Sequence, residues 1–121
     1  MQKILVVDDD YSVAWLVRKI ISPHKNIKCV SCQTGRQALD LIEFEVQIVA
    51  AWIDVQLPDI NGLELYQTIK EKCPDITASI ITGFKFEYES MVESLGAYAF
   101  VRKPVQFDQL SQITYEMLKA G

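Results

Sequence analysis

Acidic residues stand where apolar runs end. Asp8, Asp9 and Asp10 follow Ile4-Leu5-Val6-Val7, and Asp54 follows the run Ile48–Ile53. Thr82-Gly83 closes a third run and Arg102-Lys103-Pro104 a fourth. Acids held close together repel, and they are stable side by side if a cation sits between them or if one keeps its proton. Carboxylates, a backbone carbonyl and water suit Mg²⁺, which favours octahedral oxygen sites and gives up its hydration reluctantly. A carboxylate can also attack phosphorus and form an acyl phosphate. Such a transfer needs positioning and charge neutralisation more than covalent chemistry. A divalent cation relieves the repulsion between nucleophile and phosphoryl oxygens. An ammonium and a hydroxyl can take the oxygens that remain. Asp8, Asp9, Asp54, Thr82 and Lys103 are residues of these types. Acids also cap helices, and Asp10 is the one expected to do so. An acid after a strand is equally an ordinary loop residue, so Asp54 gains meaning from the acids across the edge.

The elements that carry these residues repeat one pattern. Apolar, β-branched runs lie at Ile4–Val7, Ile27–Val30, Ile48–Ile53, Thr77–Thr82 and Ala99–Val101. Their starts are roughly 20–30 residues apart, room for a strand, a loop and a helix. Helical spacing fills the gaps. Val13, Leu16, Val17, Ile20 and Ile21 give one face, and Ala38, Leu39 and Ile42, with Phe44 as a further candidate, give the next. Leu63, Leu65, Tyr66 and Ile69 mark a third helix, Met91, Val92 and Leu95 a short fourth, and Phe107, Leu110, Ile113, Met117 and Leu118 a fifth. Thr34 is an expected N-cap, Pro23 and Pro74 follow helices, and Gly96 stands where a C-cap glycine belongs. Strand–helix alternation argues for an α/β, doubly wound parallel sheet covered on both faces. Its ligand site lies outside the C-terminal strand ends, where strand order reverses.

Size and charge agree with one such domain. The chain has 121 residues, of which 50% are hydrophobic and 23% charged. No apolar run reaches the ~20 residues of a membrane span. The start, Met1-Gln2-Lys3, is not that of a signal peptide, so the cytoplasm is the expected compartment. The formal net charge is −4 and the basic residues are scattered, which argues against nucleic-acid binding by this chain.

Taken together, the residues resemble the receiver domain of two-component response regulators. The likeness covers the whole chain, 1–121, as a single domain. It rests on Val7-Asp8-Asp9, the loop from Asp54 to Gly62 with Leu57-Pro58-Asp59, Ile81-Thr82-Gly83, Gly96-Ala97, and Phe100-Val101-Arg102-Lys103-Pro104. The resemblance implies a flavodoxin-like fold with strand order 2-1-3-4-5 and five helices. It implies that Asp54 is the phosphoacceptor and that Asp9 binds Mg²⁺ directly, Asp8 through water and Gln56 through its carbonyl. It also implies that Lys103 pairs with the phosphoryl group, ahead of a cis bond to Pro104. Thr82 and Phe100 would be the switch pair. The output face would run over Glu87–Leu95, Tyr98–Arg102 and Phe107–Leu118. The donor would be a sensor histidine kinase or a phosphotransfer protein. The domain would be a monomer or a phosphorylation-dependent dimer, with an output domain or partner as its target. It would be no turnover enzyme, catalysing only its own phosphorylation and autodephosphorylation.

Several positions depart from the commonest pattern. Phe100 replaces a tyrosine, Leu57 a methionine, and Gly83 an alanine, which should leave the site open. Phe84 and Gln56 fill positions that tune hydrolysis, and slow to moderate autodephosphorylation is expected. None of these changes removes a catalytic group.

Rival readings remain. One is a Mg²⁺-dependent aspartyl-phosphate phosphatase, but Gln56 replaces the second acid such enzymes carry, and no cap segment is present. Another is a phosphorylation-independent interaction module. A thiol redox module would need Cys29 and Cys32 at a helix start, whereas Cys29 falls in a strand. Cys73 and His24 are expected to be structural and loop residues, Trp15 and Trp52 to be packing residues, and Phe84-Lys85-Phe86 to meet a partner. The chain fits a stand-alone receiver or a piece of a longer regulator.

Overall fold

The computed structural model describes residues 1–45, 47–83 and 89–120. The strands are β1 (Gln2–Val7), β2 (Ile27–Cys32), β3 (Ile48–Asp54), β4 (Thr77–Thr82) and β5 (Phe100–Arg102). The helices are α1 (Tyr11–Ile21), α2 (Gly35–Phe44), α3 (Gly62–Lys72), α4 (Glu89–Leu95) and α5 (Phe107–Ala120). All strand pairs are parallel and the order is β2-β1-β3-β4-β5. The expected alternation and strand order are therefore present. The last strand lies one residue further on than its apolar run suggests.

Both faces of the sheet are buried, which is why its strands read as continuous apolar runs. Side chains alternate between two cores. Ile4, Val6, Ala50 and Trp52 face α1 and α5. Leu5, Val7, Ala51 and Ile53 face α2, α3 and α4. The indole of fully buried Trp52 donates from Nε1 to Thr114 Oγ1 of α5 at 3.1 Å, so its polar edge is satisfied.

The helix punctuation follows the sequence. Asp10 caps α1 by accepting from the Ser12 amide, and Thr34 caps α2 by accepting from the Gln37 amide. Gly96 takes a φ of +78° just after α4, a conformation that favours glycine.

Four apolar expectations need correction. Trp15 is 59% exposed and Phe44 80% exposed. Trp15 lies outside the buried stripe Val13, Ala14, Val17, Ile20 and Ile21 of α1, with Lys19 Nζ 5.0 Å from its ring centroid. Phe44 is the last residue of α2, beyond the part of that helix that touches the sheet. Met91, in the first turn of α4, and Phe107, the first residue of α5, are about half exposed, so periodicity overextends both faces by a residue. The two buried thiols fall on opposite sides of the sheet, Cys29 with the α1/α5 core and Cys32 with the other. Three-residue spacing in a strand imposes this, and it separates the pair. His24 is an exposed loop residue whose Nε2 lies 3.0 Å from Tyr115 Oη.

Candidate functional site

β1 and β3 are neighbours in the sheet, and the chain leaves β1 for β2 on one side and reaches β3 on the other. This is the strand-order reversal, where a crevice opens at the C-terminal strand ends. Asp54 ends β3 and Asp8 follows β1, and both are buried, at 2% and 3% exposure. The Asp8 amide extends the β1–β2 ladder by donating to the Cys32 carbonyl at 3.1 Å. The Val55 amide does the same for β3 by donating to the Ile81 carbonyl at 3.2 Å. The acids are thus mounted on strand ladders.

Lys103 arrives from the far edge. Its amide donates to the Thr82 carbonyl at 2.9 Å, continuing the β4–β5 pairing, and its bond to Pro104 is cis. Its Nζ donates to Asp54 Oδ2 at 2.9 Å and to Asp8 Oδ1 at 3.3 Å. Asp54 Oδ1 accepts from the Gln56 amide at 3.1 Å, and Asp8 Oδ1 also accepts from the Asp10 amide at 2.9 Å. Asp9 is exposed, yet Asp8, Asp9 and Asp54 each offer an oxygen within 4.8 Å of the others. Thr82 is fully buried at the end of β4. The structure therefore brings the strand-end residues of the sequence reading to one edge.

The charges there do not balance. Among the described residues, three carboxylates face one ammonium. Burial pushes Asp8 up to about 7, and the nearby Asp54 charge adds to it, against the opposing pull of the Asp10 amide. Burial alone would lower Lys103, but hydrogen bonds and charge from Asp54 and Asp8 outweigh it and hold the ammonium above its ordinary range. Asp8 Oδ2 lies 3.1 Å from Lys103 Nζ as an ion pair but accepts no hydrogen bond among the described residues. An unsatisfied buried oxygen, excess negative charge and an all-oxygen donor set fit a hard divalent cation such as Mg²⁺.

The loop after β3 is fixed by short bonds. Gln56 forms an antiparallel bridge to Asn61, the Gly62 amide donates to the Val55 carbonyl at 2.8 Å, and Asn61 Oδ1 caps α3 by accepting from the Leu63 amide at 2.7 Å. A Cβ at Gly62 would stand 1.9 Å from the Asp54 carbonyl oxygen. The Asn61 cap was legible as an Asn before an apolar helix; the demand on Gly62 comes from a backbone approach and leaves no mark in composition. Among the described residues, a Cβ at Gly83 would meet nothing within 4 Å. Phe100 is half-buried against the α2/α3/α4 core. Phe84, Lys85, Phe86 and Glu87 lie outside the described residues.

The comparisons with known proteins agree with this geometry. The transcriptional regulatory protein CitT of Halalkalibacterium halodurans is 34% identical over 116 residues, which are 93% of this chain and 50% of that relative. The chain thus spans about half of that relative's length. A CheY-like response regulator receiver domain from Methanospirillum hungatei superposes with a TM-score of 0.83 at 27% identity, covering 99% of this chain and 96% of that one. The response regulator TrrA of Thermotoga maritima, solved in complex with Mg²⁺-BeF, gives a TM-score of 0.80 at 26% identity over 97% of this chain and 99% of that one. The family model of the response regulator receiver domain matches residues 4–115. With that match over nearly its whole length, the chain belongs to the response regulator receiver domains.

Proposed function

We propose that residues 1–121 form a single receiver whose Asp54 takes a phosphoryl group from the phosphohistidine of a sensor histidine kinase or phosphotransfer protein. The observation that carries this reading is the convergence of Lys103 Nζ, 2.9 Å from Asp54 Oδ2, with two further carboxylates whose oxygens lie within 4.8 Å. Asp8, Asp9, Asp54 and the Gln56 carbonyl would hold Mg²⁺. When bound, the ion neutralises charge shared between carboxylate and phosphoryl oxygens.

The chain's own groups do the rest. The Gln56 amide and Lys103 hold the two Asp54 oxygens, so the nucleophile is oriented before the donor arrives. One Asp54 oxygen forms the O–P bond as the P–N bond to the donor imidazole breaks, and that electron pair stays on the nitrogen. Lys103 then pairs with a phosphoryl oxygen, and the Thr82 hydroxyl donates to another. Phosphorylation biases a two-state equilibrium in which Thr82 and Phe100 move together. The altered face comprises α4, β5 and α5, and it acts on an output domain or partner. A relative named as a transcriptional regulator suggests control of transcription through a segment outside these residues. The domain works in the cytoplasm, as a monomer or a phosphorylation-dependent dimer. It turns over only its own acyl phosphate.

The test is intact mass after incubation with Mg²⁺ and acetyl phosphate. We expect a gain of one phosphoryl group that needs Mg²⁺ and is absent in Asp54→Asn. No adduct under rapid quench, with a phosphohistidine donor also supplied, would overturn the reading in favour of a phosphorylation-independent interaction module.

A further inference from the structure

Asp59 reaches across the molecule from the loop that follows Asp54. Its Oδ1 accepts from the Gly35 amide at 2.8 Å and its Oδ2 from the Arg36 amide at 2.9 Å. Both amides belong to the first turn of α2, which lacks intrahelical acceptors for them. Thr34 takes only the third, through the Gln37 amide at 3.1 Å. Asp59 is therefore a second cap for α2, supplied from 24 residues away. The neighbouring side chain locks the same contact. A Cβ at Gly35 would stand 2.4 Å from Ile60 Cδ1 and Cγ1, so Ile60 fills the space that glycine leaves on α2.

At the base of the loop lie the Gln56 amide to Asp54, the Gln56–Asn61 bridge and the Gly62 amide to Val55, and at its outer end the Ile60 amide also donates to Asp59 Oδ1 at 3.0 Å. Asp59 and Ile60 fasten its outer end. We propose that Asp59 is a positioning residue for the Asp54 site, latching the 55–62 loop to the N-terminus of α2 so that the Gln56 main chain is held beside Asp54. The part of this that concerns Mg²⁺ rests on the function proposed above. Groups that orient ligands in this indirect way are worth about 10–100-fold in metal affinity.

Two single variants separate a positioning role from simple helix capping. Thr34→Ala removes the local cap of α2 and leaves the loop alone. Asp59→Ala removes the distant cap and the latch together. Each loss of a cap is expected to lower the folding equilibrium constant about fivefold. The readouts are amide hydrogen exchange at Gln56 and Gly62, and Mg²⁺ affinity by calorimetry. Asp59→Ala is expected to speed exchange at both amides and weaken Mg²⁺ binding about tenfold. Thr34→Ala is expected to do neither. If Asp59→Ala leaves exchange and affinity within twofold of Thr34→Ala, the latch is only a cap and the inference falls. A wild-type protein that binds no Mg²⁺ overturns the reading of the acid cluster, and with it the metal half of this inference. The exchange comparison still decides the latch.

Discussion

Gly62→Ala adds one methyl group at the first residue of α3 and is expected to damage the site beside it. The new Cβ would lie 1.9 Å from the Asp54 carbonyl oxygen, 2.6 Å from Val55 Cα and 2.7 Å from the Asp54 carbonyl carbon. All three are main-chain atoms, so no side-chain rotation relieves the contact. To restore even a tight approach, the backbone must part by about 1 Å, against an ordinary carbon contact of about 3.5–4.0 Å. Overpacking of this kind costs about 1–3 kcal/mol and sometimes more. Replacing glycine at an unstrained helical position would otherwise gain about 0.4–1 kcal/mol. The clash wins, with a net loss of about 2 kcal/mol. At a urea dependence of about 1–3 kcal/mol/M, the midpoint falls by about 1 M. The carbonyl belongs to Asp54, the proposed phosphoacceptor, so displacement also reaches its carboxylate. A misplacement near 1 Å costs about 100-fold in rate. Urea titration and phosphoryl uptake from acetyl phosphate measure the two effects. Gly83→Ala is the control for stability, since among the described residues its Cβ meets nothing within 4 Å, and its urea midpoint should stay near wild type. An unchanged urea midpoint in Gly62→Ala would refute the clash. A lowered midpoint with a wild-type uptake rate would put the displacement in α3 and break the link to Asp54.

Further expectations follow from the buried polar groups. Asp8 has a folded pKa raised from 3.8 to about 7, so the folded state binds this proton more tightly than the unfolded chain. The stability it contributes is full below 3.8 and is lost as pH rises towards about 7, by at most about 4 kcal/mol. In EDTA, the urea midpoint of Asp8→Asn should therefore gain on wild type between pH 4 and 7, and parallel profiles would count against it. Lys103→Ala leaves Asp8 and Asp54 without their shared cation and should cost about 3 kcal/mol without Mg²⁺. The same variant should bind Mg²⁺ more tightly in calorimetry, because a competing positive charge is gone, yet take up phosphoryl more slowly. Thr114→Val leaves the Trp52 indole N–H unpaired and should cost about 1–3 kcal/mol in urea, with a shifted Trp52 emission read in a Trp15→Phe background. A stability within 0.5 kcal/mol of the parent would show that water or another group replaces the hydroxyl.

Much of this was legible because receivers carry their chemistry at strand ends. The apolar run before Asp8 and the one before Asp54 locate two strands, and the acid that ends each run falls at the sheet edge without further assumption. Lys103 follows the same rule from β5. The resemblance assigns roles to these residues; spacing alone could bring them only to a common edge. Periodicity failed where a helix begins or ends. Phe44, Met91 and Phe107 match the apolar spacing but lie in the first or last turn of their helices, outside the packed face. Trp15 shows that a large aromatic is not by itself a core residue. Asp59 and Gly62 were visible only as members of a loop motif. What they do depends on atoms of Gly35, Arg36 and Asp54 that the fold brings near, and no local pattern records such a contact. The faces of Cys29 and Cys32 were implicit in the two-residue period of a strand.

The sheet is uneven in what it costs to open. β3 is hydrogen-bonded on both sides, to β1 and β4, so freeing Asp54 means breaking two ladders. β5 is an edge strand with three paired residues, Phe100 to Arg102, and it carries Lys103 at its end. Local opening follows the number of bonds that must break, so the amides of β5 should exchange before those of β3. Asp54 thus ends a strand clamped on both sides, while its counter-cation follows the shortest strand of the sheet. Fraying of that edge would withdraw the ammonium while the carboxylate stays held by its two ladders.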